Sequence, residues 1–436
     1  MGRRWRAASV VLAAALATGV PSPVPAQADP ATGTAPASSR PTVDPTAPTP
    51  TAPRTGLPPR GSAPDGSTVG GERLRTRGVV VAADAPPLPD GIAASGWLVA
   101  DAGTGAVLGA RDPHGRYYPA STLKTLTLLT LVPRLDPALV VEGTVEDEQI
   151  EGSRVGLVAG GRYPVPLLFS ALVLQSGNDA ASALARAAGG QAATVAAMNR
   201  TAAELGAFDT VAGTPSGLDV AGQSTSPYDL ALFFRALVED PVTAEVLRTP
   251  TADMPAVEGR GPGFQIQNQN PLLTSYPGNL GGKTGFTDAA RHAFVTAAER
   301  DGRRLVVSVL DTENVPLRAA DQAARLLDWG FAVAPTAAGV GRLVRPADLV
   351  AAPTTRSSAA PVLAPPGTAA APADASPVGE PAGRPWTAVA VTVVALAVLG
   401  AVSATLRGRR RARPTPPAPA PGRRPAPPGR WRSRRR

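Results

Sequence analysis

Ser121 and Lys124 stand three residues apart in Ser121-Thr122-Leu123-Lys124. On a helix that spacing puts both side chains on one face. A serine hydroxyl is a weak nucleophile until a neighbouring base takes its proton. Lysine can be that base when burial removes its charge, whereas arginine stays protonated. Of the 43 lysines and arginines in the chain, only Lys124 and Lys283 are lysines. Lys283 opens Lys283-Thr284-Gly285, a cation followed by a hydroxyl. Between the two lies Ser176-Gly177-Asn178, with a second hydroxyl and an amide. Ser176 follows Ser121 by 55 residues and precedes Lys283 by 107.

Other hydrolytic chemistries fit poorly. The only histidines are His114, in a polar loop, and His292, and no Gly-x-Ser-x-Gly elbow surrounds any serine. Both histidines read as structural or exposed. The pair lies 178 residues apart with no His-Glu-x-x-His, so a zinc centre is not expected. With no cysteine there is no disulfide, thiol nucleophile or cysteine metal site. Gly278 to Thr284 is nearly a phosphate loop, but Pro277 stands where its first glycine belongs.

The elements that must position these residues follow from periodicity. Gly96 to Ala102 and Ala106 to Ala110 flank Gly103-Thr104-Gly105 and read as a β-hairpin. Ser121 opens an apolar run to about Leu131 with the length of a buried helix, whose N-terminus favours developing negative charge. Residues 164–175 and 178–188 read as two helices broken at Ser176-Gly177-Asn178, and Ala192 to Leu205 as another. Ser226-Pro227 starts a helix over Tyr228 to Val238. Past Lys283 the period becomes two: Ala293 to Ala298, an Asp301-Gly302 turn, then Arg304 to Leu310. A helix over Leu317 to Leu327 closes the series. The expected fold is α+β, one antiparallel sheet assembled from both ends of the domain around a mostly helical insert.

Three stretches together carry a resemblance: Pro119-Ala120-Ser121-Thr122-Leu123-Lys124, Ser176-Gly177-Asn178-Asp179-Ala180-Ala181 and Gly282-Lys283-Thr284-Gly285-Phe286-Thr287. With Gly217-Leu218-Asp219 and Asn270 to Pro277, they resemble the serine D-alanyl-D-alanine carboxypeptidases, the low-molecular-mass penicillin-binding proteins. The likeness covers about residues 90–335 and implies a β-lactamase/D,D-peptidase-like fold. It implies that Ser121 attacks the penultimate D-alanine carbonyl of a peptidoglycan stem peptide, with Lys124 as base and Ser176 as proton relay. Asn178 would bind the substrate amide, and Lys283 and Thr284 the terminal carboxylate. Ser121 and Phe286 would supply the backbone N–H groups of the oxyanion site beside Gly285. No cofactor is implied, and β-lactams would be covalent inhibitors. A β-lactamase, a D,D-endopeptidase, and a β-lactam-sensing or peptidoglycan-binding module share these motifs. Class A β-lactamases deacylate with a glutamate, and Glu204, Glu239, Glu245 and Glu258 all lack its sequence context.

Composition divides the rest of the chain. Residues 1–28 read as a signal peptide: Arg3, Arg4 and Arg6, an apolar run from Ala7 to Val20, then Ala26-Gln27-Ala28. An uncleaved anchor is the rival reading. Residues 29–88 and 346–385 are rich in Pro, Ala and Thr and read as a linker and a stalk around a catalytic domain over 89–345. Residues 386–406 are uncharged and about 31 Å long as a helix, a bilayer core's thickness. Residues 407–436 carry twelve arginines and no acid, which places that tail in the cytoplasm and the catalytic domain outside. The net charge of +9 is thus confined to the ends; residues 29–406 carry −6, so no nucleic-acid partner is expected.

Overall fold

The computed structural model describes residues 59–349 except 62 and 64. In chain order come β1 (Val79–Val81), β2 (Gly96–Asp101), β3 (Ala106–Arg111) and a 3₁₀ turn (Ala120–Leu123) leading into α1 (Lys124–Leu131). The insert continues through β4 (Val140–Glu142), α2 (Val145–Gln149), β5 (Arg162–Pro164), α3 (Val165–Leu174), α4 (Asn178–Ala187) and α5 (Gln191–Glu204). Then follow α6 (Pro227–Glu239), α7 (Pro241–Arg248), β6 (Thr251–Met254), β7 (Phe264–Gln267) and α8 (Leu272–Ser275). The chain returns with β8 (Asn279–Thr287), β9 (Arg291–Arg300), β10 (Arg303–Thr312), α9 (Ala319–Ala332), β11 (Gly341–Arg342) and α10 (Pro346–Leu349). The main sheet has the order β1-β3-β2-β10-β9-β8, all antiparallel, with β11 also on β3. Its strands come from both ends of the domain, as the sequence implies.

Both faces of the sheet are covered, which is why β10 reads as a nearly continuous apolar run. Val306 and Leu310 enter a core shared with α1, α3, α4 and α6, while Leu305, Val307 and Val309 face a second core under α9. Ser308 falls on the α6 side and donates to the Pro227 carbonyl at 2.6 Å, so its buried hydroxyl is satisfied. Each fully buried Val, Leu or Phe side chain contributes about 1.5–3 kcal/mol. At the β9–β10 turn Asp301 and Gly302 both have positive φ, 53° and 76°, the geometry that this dipeptide favours.

The domain is wider than composition suggests. Val69 and Leu74 are buried, and β1 pairs with β3, all inside the expected linker over 29–88. At the other end α10 lies beyond residue 345, with Leu349 against the core. These segments carry few apolar residues and are held largely by backbone pairing to a formed sheet edge, so averaged composition hides them. The expected signal peptide, residues 29–58 and 350–385 of the expected linkers, the expected span over 386–406 and the tail lie outside the described residues. Among the described residues no helix is long and apolar enough to cross a membrane.

His114 is structural. Its ring is 1% exposed, with Nδ1 2.9 Å from Asp209 Oδ2 and Nε2 3.0 Å from the Val69 carbonyl oxygen. Both partners are acceptors, so both nitrogens are satisfied only in the protonated ring. Burial opposes that charge, but the Asp209 hydrogen bond and the charges of Asp209 and Asp229 raise the His114 pKa overall. Asp229, buried and beside Asp209, is pushed up to about 8. Arg116 lies 3.3 Å from the Asp209 carboxylate, and the Tyr228 ring packs on the imidazole. Groups whose pKa rises on folding stabilise the fold below their unfolded value and lose that contribution as pH climbs through the folded one. The melting temperature is therefore expected to fall as pH rises from about 4, where the unfolded chain gives up the Asp229 proton, to about 8, with His114 adding to the slope above 6.5. Thermal melts across that window check this, and Asp229→Asn should flatten the slope.

Candidate active site

Ser121 sits on the 3₁₀ turn, just before α1, and follows Ala120 with φ 47°. Lys124 is the first residue of α1 and wholly buried. Its Nζ lies 3.0 Å from Ser121 Oγ, 2.7 Å from Asn178 Oδ1 and 2.7 Å from the Ser216 carbonyl oxygen. The Asn178 amide is oriented by its other end, because Nδ2 donates to the Glu151 carbonyl at 2.7 Å. Two of the three Lys124 partners therefore only accept. A neutral amine has two N–H bonds; Asn178 and Ser216 take both, leaving the lone pair for the Ser121 hydroxyl. Burial first, and then the charge of Lys283, hold the Lys124 pKa well below 10.5, against an opposing pull from Asp179. That arrangement is a base paired with its nucleophile.

Ser176 has φ 59° in the link between α3 and α4, so the break expected at Ser176-Gly177 is a left-handed residue that turns its hydroxyl into the site. Lys283, on β8, donates to Ser176 Oγ at 2.9 Å and to the Thr284 carbonyl at 2.8 Å. Burial lowers its pKa to about 7. Asn178 opens α4, and its backbone N–H donates to the Ser153 carbonyl at 2.7 Å. The next residue, Asp179, is fully buried and its carboxylate receives the amides of Val155, Gly156 and Leu157 at 2.8–3.0 Å. The 151–157 loop is thereby fixed to the start of α4.

Two glycines let backbone approach the nucleophile. A Cβ on Gly285 would lie 3.1 Å from Ser121 N and 3.0 Å from Thr122 N, so β8 passes close over the serine turn. Gly217 has φ 86°, and a Cβ there would lie 1.9 Å from the Ala120 carbonyl oxygen. Thr284 is partly buried. The Phe286 side chain is 49% exposed and stacks at 4.5 Å on His292.

The structure thus brings together two hydrogen-bonded sets, Ser121–Lys124–Asn178 and Ser176–Lys283, with Thr284, Gly285 and Phe286 following Lys283 on β8. Sequence reasoning missed three supports: the Ser216 carbonyl, the Glu151 carbonyl and the Asp179 carboxylate. The carbonyls leave no mark on residue type. Asp179 does leave one, as an acid directly after Ser-x-Asn.

Comparison with known proteins agrees with this geometry. The profile of a family described as D-alanyl-D-alanine carboxypeptidase matches residues 80–314. The chain is 46% identical over 269 residues to the D-alanyl-D-alanine carboxypeptidase DacB2 of Mycobacterium tuberculosis, covering 61% of this chain and 90% of that protein. A crystal structure of a D-alanyl-D-alanine carboxypeptidase from the same organism is 45% identical, with a TM-score of 0.58 over 61% of this chain and 100% of the other. The crystal structure of a Streptomyces DD-transpeptidase is 27% identical, with a TM-score of 0.52 over 57% of this chain and all of the other. The chain belongs to the D-alanyl-D-alanine carboxypeptidase family.

Proposed function

We propose that the protein is a serine D,D-carboxypeptidase that removes the terminal D-alanine from acyl-D-Ala-D-Ala ends of peptidoglycan stem peptides, with β-lactams acylating the same serine. One observation carries the reading: the buried Lys124 Nζ lies 2.7 Å from two acceptors, Asn178 Oδ1 and the Ser216 carbonyl, and 3.0 Å from Ser121 Oγ, so a neutral amine there turns its lone pair to the serine. Ser121 Oγ bonds to the penultimate D-alanine carbonyl carbon, giving a tetrahedral oxyanion on the way to the acyl-enzyme ester, while Lys124 takes the hydroxyl proton. The C–N bond then breaks, and the proton passes through Ser176, which touches Lys283, to the departing amine of D-alanine. The Ser121 and Phe286 backbone N–H groups face the oxyanion, a placement supported by the close pass of β8 over the serine turn. Lys283 in its charged form, with Thr284, holds the terminal carboxylate, and Asn178 meets the substrate amide with its remaining N–H. Water, deprotonated by Lys124, releases the shortened peptide.

The sequence pattern supports an exported, single-pass membrane protein with this domain outside, anchored by residues 386–406 after a signal peptide over 1–28. The test is D-alanine release from a diacylated Lys-D-Ala-D-Ala peptide, which the wild type should catalyse and Ser121→Ala should abolish. Acylation by penicillin without D-alanine release would instead identify a sensor. Rapid penicillin turnover would identify a β-lactamase, and transfer to an added amine in place of water a transpeptidase.

A further inference from the structure

The two walls of the cleft each touch the Ser121 turn and meet again beyond it. On one side the 216–219 loop gives the Ser216 carbonyl to Lys124, and Gly217 packs on the Ala120 carbonyl. On the other, β8 brings Gly285 against the Ser121 backbone. Two residues past each contact the walls join: Thr287 Oγ1 donates to Asp219 Oδ1 at 3.0 Å. The direction of that bond is set, because a carboxylate oxygen only accepts and the Thr287 hydroxyl has one proton to give; the same hydroxyl oxygen accepts from the Ala290 N–H at 2.9 Å. Behind Asp219 the loop is braced. Gln223 donates to the Leu218 carbonyl at 2.9 Å and accepts from the Gly213 and Thr214 N–H groups at 3.1 Å. The clasp therefore links a braced loop to the last residue of β8 rather than one mobile tip to another.

We propose that Asp219 is a positioning residue: through Thr287 it fixes the distance between the loop that holds Lys124 and the strand that faces the ester oxyanion. It touches neither the reacting atoms nor the base. Its effect rests on the catalytic reading above, since a serine–lysine pair and a backbone oxyanion site carried on separate walls lose rate when the walls drift by a fraction of an ångström. A misplacement near 1 Å costs about 100-fold. The clasp is a hydrogen bond and not an ion pair. Asp288 is the charged neighbour of the carboxylate, and it is of like sign. A neutral acceptor of the same shape therefore serves equally well.

The test is the acylation rate with penicillin, alongside kcat and KM for D-alanine release, in Asp219→Ala, Thr287→Val, their double variant and Asp219→Asn. Each single disruption should lower acylation by both reagents about 10- to 100-fold. The double variant should be slower than the worse single by far less than the product of the two losses, because the Thr287–Asp219 bond is lost in each and only the Ala290 and Ala289 amides, which lose the Thr287 and Asp219 oxygens respectively, differ. Asp219→Asn, whose amide oxygen still accepts from Thr287, should stay within about 3-fold of wild type, with KM little changed. Penicillin acylation reads the clasp even if the wild type releases no D-alanine, so failure of the clasp and failure of the peptidase assignment separate. The proposal is overturned if Asp219→Ala acylates like wild type, or if the two single losses multiply in the double variant. It is also overturned if Asp219→Asn is as slow as Asp219→Ala with peptide alone, which would make the carboxylate a direct reader of substrate charge.

Discussion

Replacing Lys124 by arginine should abolish acylation of Ser121 by peptide and by penicillin alike, with losses of about 1,000-fold or more. The side chain is buried, and its pKa lies well below 10.5 because burial and the Lys283 charge both disfavour the ammonium. Guanidinium stays protonated and offers no lone pair, so it can hydrogen-bond Asn178 and Ser216 yet cannot take a proton from Ser121. Lys124→Met is the control: equally inactive, without a buried charge. It leaves Asn178 Oδ1 and the Ser216 carbonyl without a donor, at about 1–3 kcal/mol each. Lys283→Arg keeps the cation and should weaken acylation less. The two lysines also give the pH profile its shape. Activity needs Lys124 neutral, so it rises as pH climbs through that depressed pKa. It needs Lys283 charged, so kcat/KM for the free enzyme falls above about 7. Stopped-flow acylation and intact mass measure both effects. Arginine-variant acylation within 10-fold of wild type would remove Lys124 from the base role.

What the sequence made legible, and what it hid, divides along a physical line. Ser121, Lys124, Ser176, Asn178 and Lys283 act through side chains, and side-chain chemistry is written in residue type and spacing. The hairpin β2–β3 and the pair β9–β10 were legible because period-two patterning and turn residues mark them. β8 was not, although it carries Lys283: its nine residues include Gly281, Gly282 and Gly285, which give no apolar alternation. It is a strand because β9 zips to it, and its glycines let backbone reach the serine turn. β1 was hidden for a related reason, since three valines amid proline, glycine and charge gain their order from pairing with β3. The carbonyls of Glu151 and Ser216 act through main chain that every residue has, so only the fold can place them. His114 reads from sequence as a loop residue, and its burial depends on Asp209, 95 positions away.

Asp179→Ala should be the most damaging single change outside the catalytic residues, lowering stability by about 3–5 kcal/mol. Its carboxylate is fully buried and serves the Val155, Gly156 and Leu157 amides, and Val155 and Leu157 are themselves buried. Alanine would leave those donors without their acceptor in a place water does not readily reach. For a domain of this size such a loss lowers the melting temperature by about 10 °C. The loop it releases also carries the Glu151 and Ser153 carbonyls, which receive the Asn178 side-chain and backbone N–H groups. With the loop free, nothing orients the Asn178 amide, and Lys124 loses one of its two acceptors. Acylation should therefore fall at temperatures where the variant is still folded. Asp179→Asn separates the two roles of the carboxylate. It keeps one oxygen for the loop amides and removes the charge that raises the Lys124 pKa. Stability should then be lost only in part, while the acid limb of the acylation profile moves to lower pH, because Lys124 gives up its proton more easily. A limb that stays in place, or moves to higher pH, would mean that Asp179 does not act on Lys124 electrostatically.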